Sequence, residues 1–401
     1  MRTTTDFSIA VSIAAVILSS TVTAAPPVKS AKSGTASKPK TAALNALRPV
    51  TTEAPDWSVA FHPDGNRVAI GTYRKVIVYS LSDGEKVAEW PVGTEAIRAL
   101  VFHSSGKTLA VGSGAPGASG SVMLLDATTG QATQTLKIHD DTIEGLAFSG
   151  DVLLSASDDE KVILTDTRTG MRIGVLSEHI GRCLSVAVPV RTSDGAGGAI
   201  FATGGADKMI KIWDATFRRV VVNFDQAQSP VWSLTALPQP GRFAAGCDDG
   251  TVRIFQVRAD RPGVRDGQED TTTTVDGRKP EEVVPALKPG QPAPRTGSQT
   301  QVLTGHSAAV YTVAASANGN FIVSGGADHK VIVWDRNGGK VRELTDAKGD
   351  VWSVAISGNS RWLAASSVDG YTRIYDLTDG TLTSTFPKLR TPAGANGGKK
   401  P

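Results

Sequence analysis

The chain has 401 residues, with 42 lysines and arginines against 39 aspartates and glutamates and a formal charge of +3. That near balance leaves no basic footprint of the kind nucleic acid or an anionic membrane surface requires, so neither is expected as a partner. Two cysteines, Cys183 and Cys247, cannot build a disulfide framework, and the core has to come from apolar burial.

Residues 1–24 read as a secretory signal peptide. Arg2 leads into an apolar run over 9–18, and Val22-Thr23-Ala24 supplies a small-residue cleavage site. The expected location is therefore periplasmic or secreted. An uncleaved membrane anchor is the alternative, although the apolar run falls short of the ~20 residues a span needs. No integral span is expected after processing. Residues 25–42, rich in Pro, Lys, Ser and Ala, cannot bury a core and are expected to form a flexible tether.

From about Asp56 a meander of short strands recurs. Unit one spans 57–90, with turn HPDG after its first strand, then VAIGTY, KVIVYS and a fourth strand near 86–90. Unit two begins at Ile97 and carries an enlarged second turn, GSGAPGASG, at 112–120. Unit three covers 139–176, and unit four covers 179–224 with TSDGAGG at 192–198 lengthening its first hairpin. Unit five starts at Val231. Between its third and fourth strands falls a polar, proline-containing insertion at 258–298, expected to be disordered, whose one candidate partner-binding segment is EEVVPALKPG at 281–290. Unit six has strands at 310–315, 321–324, 330–334 and 341–344, and unit seven covers 351–386. Residues 387–401 read as a flexible basic tail.

Unit six is the best formed. Gly305-His306 precedes its first strand, Asp328 sits in its second turn and Trp334-Asp335 closes its third strand, punctuation that resembles a WD40 repeat. The resemblance covers about 56–386. It implies an all-β fold, a seven-bladed WD40-type β-propeller of four-stranded antiparallel blades, with the propeller domain spanning 43–386. It also implies a hydrogen-bond chain of His, Ser or Thr, Asp and Trp in each complete blade. His306, Ser324, Asp328 and Trp334 fill it in blade six, and His179, Thr203, Asp207 and Trp213 fill it in blade four. Blade three keeps His139, Ser155 and Asp159 but has Thr165 in place of Trp. In blade one Tyr79 stands at the Trp position and Tyr73 at the Asp position. Blade five keeps Asp249 and Phe255, and blade seven Asp369 and Tyr375. For ring closure, a strand at 381–386 is expected inside the ring, with 43–50 lying against it.

The reactive residues do not form a catalytic constellation. The six histidines all have positions in the repeat, and none pairs with another at metal-ligand spacing. There is no GxSxG elbow, P-loop or CxxC. The doublets Asp158-Asp159 and Asp248-Asp249 each contain the repeat's turn Asp, and neighbours in a turn point apart rather than sharing a proton. Cys183 and Cys247 are expected as buried thiols, though an oxidising compartment would permit a bond. No catalytic residue, metal or cofactor is expected.

One column of residues remains. Aligning the first strands places Trp57, Arg98, Glu144, Leu184, Trp232, Tyr311 and Trp352 at equivalent positions. The resemblance puts that position at the narrow mouth of a central channel, and its composition suits interface anchors. The alternative is that these side chains only fill the rim. The expected function is that of a non-enzymatic protein- or peptide-binding scaffold, a monomer, using Trp57, Arg98, Glu144, Trp232, Tyr311 and Trp352. A periplasmic propeller enzyme of lactonase or quinone-dependent dehydrogenase type, or a surface carbohydrate or adhesion module, are the alternatives.

Overall fold

A computed structural model describes residues 55–189, 200–259 and 295–387. The signal and tether, the candidate closing strand at 43–50, the loop at 192–198, the segment at 281–290 and residues 388–401 lie outside them. Every regular element among the described residues is a strand, and no helix there is long and apolar enough to cross a membrane.

The strands form five four-stranded antiparallel sheets and one seven-stranded sheet. The larger sheet is two units fused through one 17-residue strand, Lys86–Phe102. Its first part pairs with Tyr73–Ser80 as an outer strand, and its second part pairs with Thr108–Ala115 as an inner strand. The strands thus group into seven four-strand units, with the first strand of each innermost. Inner strands touch in succession from Ser58–Phe61 round to Val351–Ile356, and the last touches the first. The ring is closed.

Local sequence explains the layering. In blade six, Val331–Asp335 reads Val-Ile-Val-Trp-Asp and is buried at its first four residues, because neighbouring blades cover both faces. The outer strand Lys340–Leu344 is polar and largely solvent-facing. Each apolar cluster spans two consecutive blades: Val323, Val333 and Val351 pack with Leu363 and Tyr375 between blades six and seven. A blade alone could not bury both faces, so closure is a condition of stability.

Closure uses specific contacts between the first and last blades. Tyr79 stacks on Phe386 with ring centroids 4.3 Å apart. Buried Asp56 accepts a hydrogen bond from Thr372 Oγ1 at 2.8 Å. The Val59 N–H donates to Ser353 Oγ at 3.1 Å. Thr312 and Ser233 repeat this last device, accepting from the Val354 and Val313 N–H groups. The strand Leu382–Phe386 pairs with Thr372–Asp376 as the outer strand of blade seven.

Two expectations need correction. The 112–120 stretch is not a loose turn: Thr108–Ala115 and Ser119–Asp126 continue as a paired hairpin as far as Ala115 and Ser119. Its glycines explain why. A Cβ at Gly120 would lie 2.0 Å from the Asp141 carbonyl oxygen, so the hairpin packs too closely for a side chain. The insertion at 258–298 is also shorter than its polarity implied. Thr251–Ala259 pairs with Arg295–Thr304, so Arg258 lies opposite Thr296 and Ala259 opposite Arg295. Gly297, on the exposed outer strand, approaches the buried Phe224 so closely that a Cβ there would meet the ring at 2.4 Å.

This revised boundary makes a prediction. Excising 260–294 and bridging Ala259 to Arg295 with a two-residue Asn-Gly turn should leave the melting temperature nearly unchanged, because loop length alone costs about 0.6 kcal/mol per doubling. Excising 258–298 should lower it clearly by removing ladder pairs. Equal melting of the two deletions would show that the 295–298 pairing adds nothing.

Candidate functional site

Hydrogen-bonding geometry fixes the frame around the channel. In blade four, Trp213 Nε1–H donates to Thr203 Oγ1 at 2.8 Å, Thr203 Oγ1 lies 2.7 Å from His179 Nε2, and His179 Nδ1 lies 2.8 Å from Asp207 Oδ2. Blade six repeats it with Trp334, Ser324, His306 and Asp328, all at 2.8–3.0 Å. The assignment that satisfies every group has the hydroxyl accept from Trp and donate to Nε2, while Nδ1–H donates to the carboxylate. Blade three keeps the His139, Ser155 and Asp159 links, and the buried Thr165 Oγ1 has no hydrogen-bond partner among the described residues. Burial alone would raise the Asp159 and Asp207 pKa values. The histidine and backbone N–H bonds outweigh it and hold both carboxyls below the usual range.

Blades five and seven use a different device, missed in the sequence. Arg253 and Arg373, on the third strands, reach back to Asp249 and Asp369 at 2.7 Å. The signal was present as Asp249-Gly250-Thr251-Val252-Arg253 and Asp369-Gly370-Tyr371-Thr372-Arg373. A guanidinium replaces the imidazole, and Arg253 also donates to the Gln226 carbonyl. Tyr73 plays no part of this kind. It opens a third strand and is 47% exposed.

These frames hold the inner strands, and the inner strands carry the column. In six of the seven blades the column residue is the extra residue of a β-bulge. Register shifts fall between Ile97 and Ala99, Ile143 and Gly145, Cys183 and Ser185, Val231 and Ser233, Val310 and Thr312, and Val351 and Ser353. A bulge leaves one residue out of the ladder and re-aims its side chain. Here Arg98, Glu144, Leu184, Trp232, Tyr311 and Trp352 are re-aimed, with Trp57 just ahead of its strand, and all seven line one opening of about 60 Å³. Six of them, all but Trp57, also border a cavity of about 240 Å³ in the channel.

The rings touch in series. Trp57 meets Trp352 edge-on at 5.7 Å, Trp352 stacks on Tyr311 at 4.4 Å, and Tyr311 meets Trp232 edge-on at 5.3 Å. Arg98 lies over Trp57 at 5.2 Å and 3.5 Å from Glu144. The aromatic side chains are half-buried and pack chiefly on one another. Trp232 Nε1–H donates to Asp248 Oδ1 at 2.9 Å, whereas the buried Trp352 Nε1–H has no acceptor among the described residues.

Asp158, set aside in the sequence as half of a turn doublet, and Arg182, not singled out there, also lie beside the ring. Asp159 serves the hydrogen-bond chain, but its neighbour Asp158 turns towards Arg182, 3.3 Å away and poorly aligned for a hydrogen bond. Burial, reinforced by the nearby Glu144, pushes the Asp158 carboxyl up to about 7 against the pull of Arg182. Arg182 itself lies over the Trp232 ring at 5.8 Å. The sign for stability follows. Because the folded pKa lies above the unfolded value near 3.8, ionising Asp158 costs stability, progressively from pH ~4 to pH ~7. Asp158→Asn should therefore gain roughly 1 kcal/mol or more at pH 8 relative to its effect at pH 4. Urea denaturation at both pH values checks this, and a larger loss at pH 8 than at pH 4 would mean the Arg182 ion pair outweighs burial.

Cys183 and Cys247 are free and buried, and burial raises both thiols, Cys247 to about 12. Among the described residues no group of three or more His, Cys, Asp or Glu side chains could hold a metal ion.

A closed ring of four-stranded blades defines a β-propeller, here with a side-chain cluster at one mouth of its channel. Comparison with known proteins places it further. The family description "WD domain, G-beta repeat" matches residues 171–214, 218–256, 297–335 and 338–376, and "Anaphase-promoting complex subunit 4 WD40 domain" matches 59–151. The chain belongs to the WD40-repeat family. Each of the four repeat matches takes in the outer strand of one blade and the three inner strands of the next, so every sequence repeat ties two blades together. The chain is similar to pre-mRNA-processing factor 19 of Bos taurus, 29% identical over 174 residues, which cover 43% of this chain and 33% of that protein. It is also similar to the guanine nucleotide-binding protein subunit beta of Oryza sativa subsp. japonica, 30% identical over 112 residues, 26% of this chain and 28% of that one. The corresponding protein of Solanum tuberosum is 24% identical over 217 residues, 50% of this chain and 56% of its own length. The matches thus span between about a quarter and just over half of these relatives.

Proposed function

We propose that this WD40 protein is a non-enzymatic scaffold, exported from the cytoplasm by its 1–24 signal, that docks a protein or peptide partner at the aromatic mouth of its channel. The observation that carries the reading is the row of bulges. Hydrophobic packing of the repeat asks only for small apolar residues on an inner strand, yet six successive blades give up ladder pairing at this position, and five of them turn a large aromatic or charged side chain to one opening. WD40 relatives named as a G-protein subunit and a processing factor support a scaffold role for such surfaces.

The test is a double substitution, Trp232→Ala with Trp352→Ala. Partner capture from the periplasmic fraction should weaken at least tenfold, about 1.4 kcal/mol, while the melting temperature changes little, because the rings pack mainly on one another. A double mutant that unfolds, with a surviving folded fraction that still binds, would make the column packing and move the interface elsewhere.

An enzyme is the second reading, and Glu144 with Asp158 is the observation that favours it. A carboxyl retained in its protonated form near neutral pH beside a second carboxylate is suited to acid–base work. Both are already committed to Arg98 and Arg182, which suits a fixed recognition surface better.

A further inference from the structure

The mouth is charged against the grain of the molecule. The whole chain is formally +3, yet the carboxylates around the aromatic series outnumber the cations. Glu144 lines the opening, Asp141 and Glu144 both act on Asp158, and Asp248 and Asp350 both act on the Tyr311 hydroxyl. Asp158 is left out of the count because its carboxyl is held protonated near neutral pH; against the other four stand two guanidinium groups, Arg98 and Arg182, and each already lies over a tryptophan of the series, Trp57 and Trp232 respectively. The stacked Tyr311–Trp352 pair between them carries no cation among the described residues. It is flanked by Asp248, whose carboxylate accepts from the Trp232 indole, and by Asp350, whose neighbour His329 lies 3.3 Å away.

We infer that the partner's anchor at this mouth is a basic side chain, an arginine, whose guanidinium takes the Tyr311–Trp352 position and pairs with Asp248 and Asp350. This rests on the docking function proposed above and deepens it. Three physical points lead there. Aromatic faces attract cations, arginine above all, because its planar group can stack and hydrogen-bond at once. The protein's own Arg98 and Arg182 show that this wall accepts guanidinium groups at 5.2 and 5.8 Å from ring centroids. An aliphatic anchor would take water from Asp248 and Asp350, whose present neighbours are the Trp232 indole and His329, without supplying a donor, and an acidic one would be repelled.

The experiment uses blocked tripeptides, acetyl-Ala-X-Ala-amide, with X arginine, norleucine or glutamate. They are titrated into the full protein while indole N–H signals of its seven tryptophans are followed by NMR. The arginine peptide should shift Trp352, Trp232 and Trp57 and leave the core residues Trp213 and Trp334 in place. Asp248→Asn with Asp350→Asn should weaken it at least fivefold, with the melting temperature retained. Norleucine binding as strongly as arginine would overturn the inference while leaving an aromatic docking site. So would partner capture that the Asp248→Asn, Asp350→Asn variant retains in full but the Trp232→Ala, Trp352→Ala variant loses. The absence of any shift with the arginine peptide would also overturn it. If capture survived the tryptophan substitutions as well, the docking function itself would fall.

Discussion

Replacing Arg373 with alanine is expected to destabilise the ring by about 3 kcal/mol, the largest single effect among the blade frames. Arg373 and Asp369 pair at 2.7 Å with side chains only 8% and 11% exposed. Burial works against ionisation of Asp369, and the Arg373 bonds with the Lys348 and Tyr371 N–H groups overcome it, holding the carboxyl below its usual range. Removing the guanidinium leaves a carboxylate in a site that cannot solvate it, and that penalty exceeds whatever the intact pair contributes. Arg373→Leu combined with Asp369→Asn should therefore recover most of the loss. Urea denaturation of the two variants separates the effects, and a loss below ~1 kcal/mol for Arg373→Ala would mean that water reaches Asp369.

His306→Ala should cost about 1–3 kcal/mol, because it strands Asp328 and Ser324 in a buried chain whose other end is the Trp334 indole. His103→Ala should cost much less. The His103 ring bonds to its own turn at Ser105 and lies nearly perpendicular to the Phe148 ring. Thermal melts of both variants make the comparison. Equal losses would remove the special standing of the blade-six chain.

How much of this was legible in the sequence depended on whether the signal was local. The hydrogen-bond chains were legible because the residues that meet, such as His179, Thr203, Asp207 and Trp213, recur at fixed points of a repeat whose strands pair with their neighbours. The column was legible as an alignment, but not its cause. A bulge is a change of register against another strand, and nothing at Trp352 alone announces that Val351 and Ser353 bracket it out of the ladder. Arg253 and Arg373 were missed because a basic residue on a third strand reads as solvent-facing until its i−4 carboxylate is seen beneath it. Asp158 and Arg182 were missed for a related reason. They meet only because consecutive blades pack side by side, and the contact spans a blade boundary that no single repeat contains. The insertion was overdrawn at both ends, since Arg258 and residues 295–298 are polar yet lie in a two-stranded extension whose far side is solvent.

If the partner sits on the bulge-borne ring, hydrogen–deuterium exchange on the captured complex will report it. Binding at the mouth should slow exchange in the segments that open the inner strands, around 96–99, 142–145, 182–185, 230–233, 309–312 and 350–353, and leave the outer strands Arg219–Phe224, Lys340–Leu344 and Leu382–Phe386 as they are in the free protein. Protection confined to those outer strands, with the inner-strand openings unchanged, would contradict it.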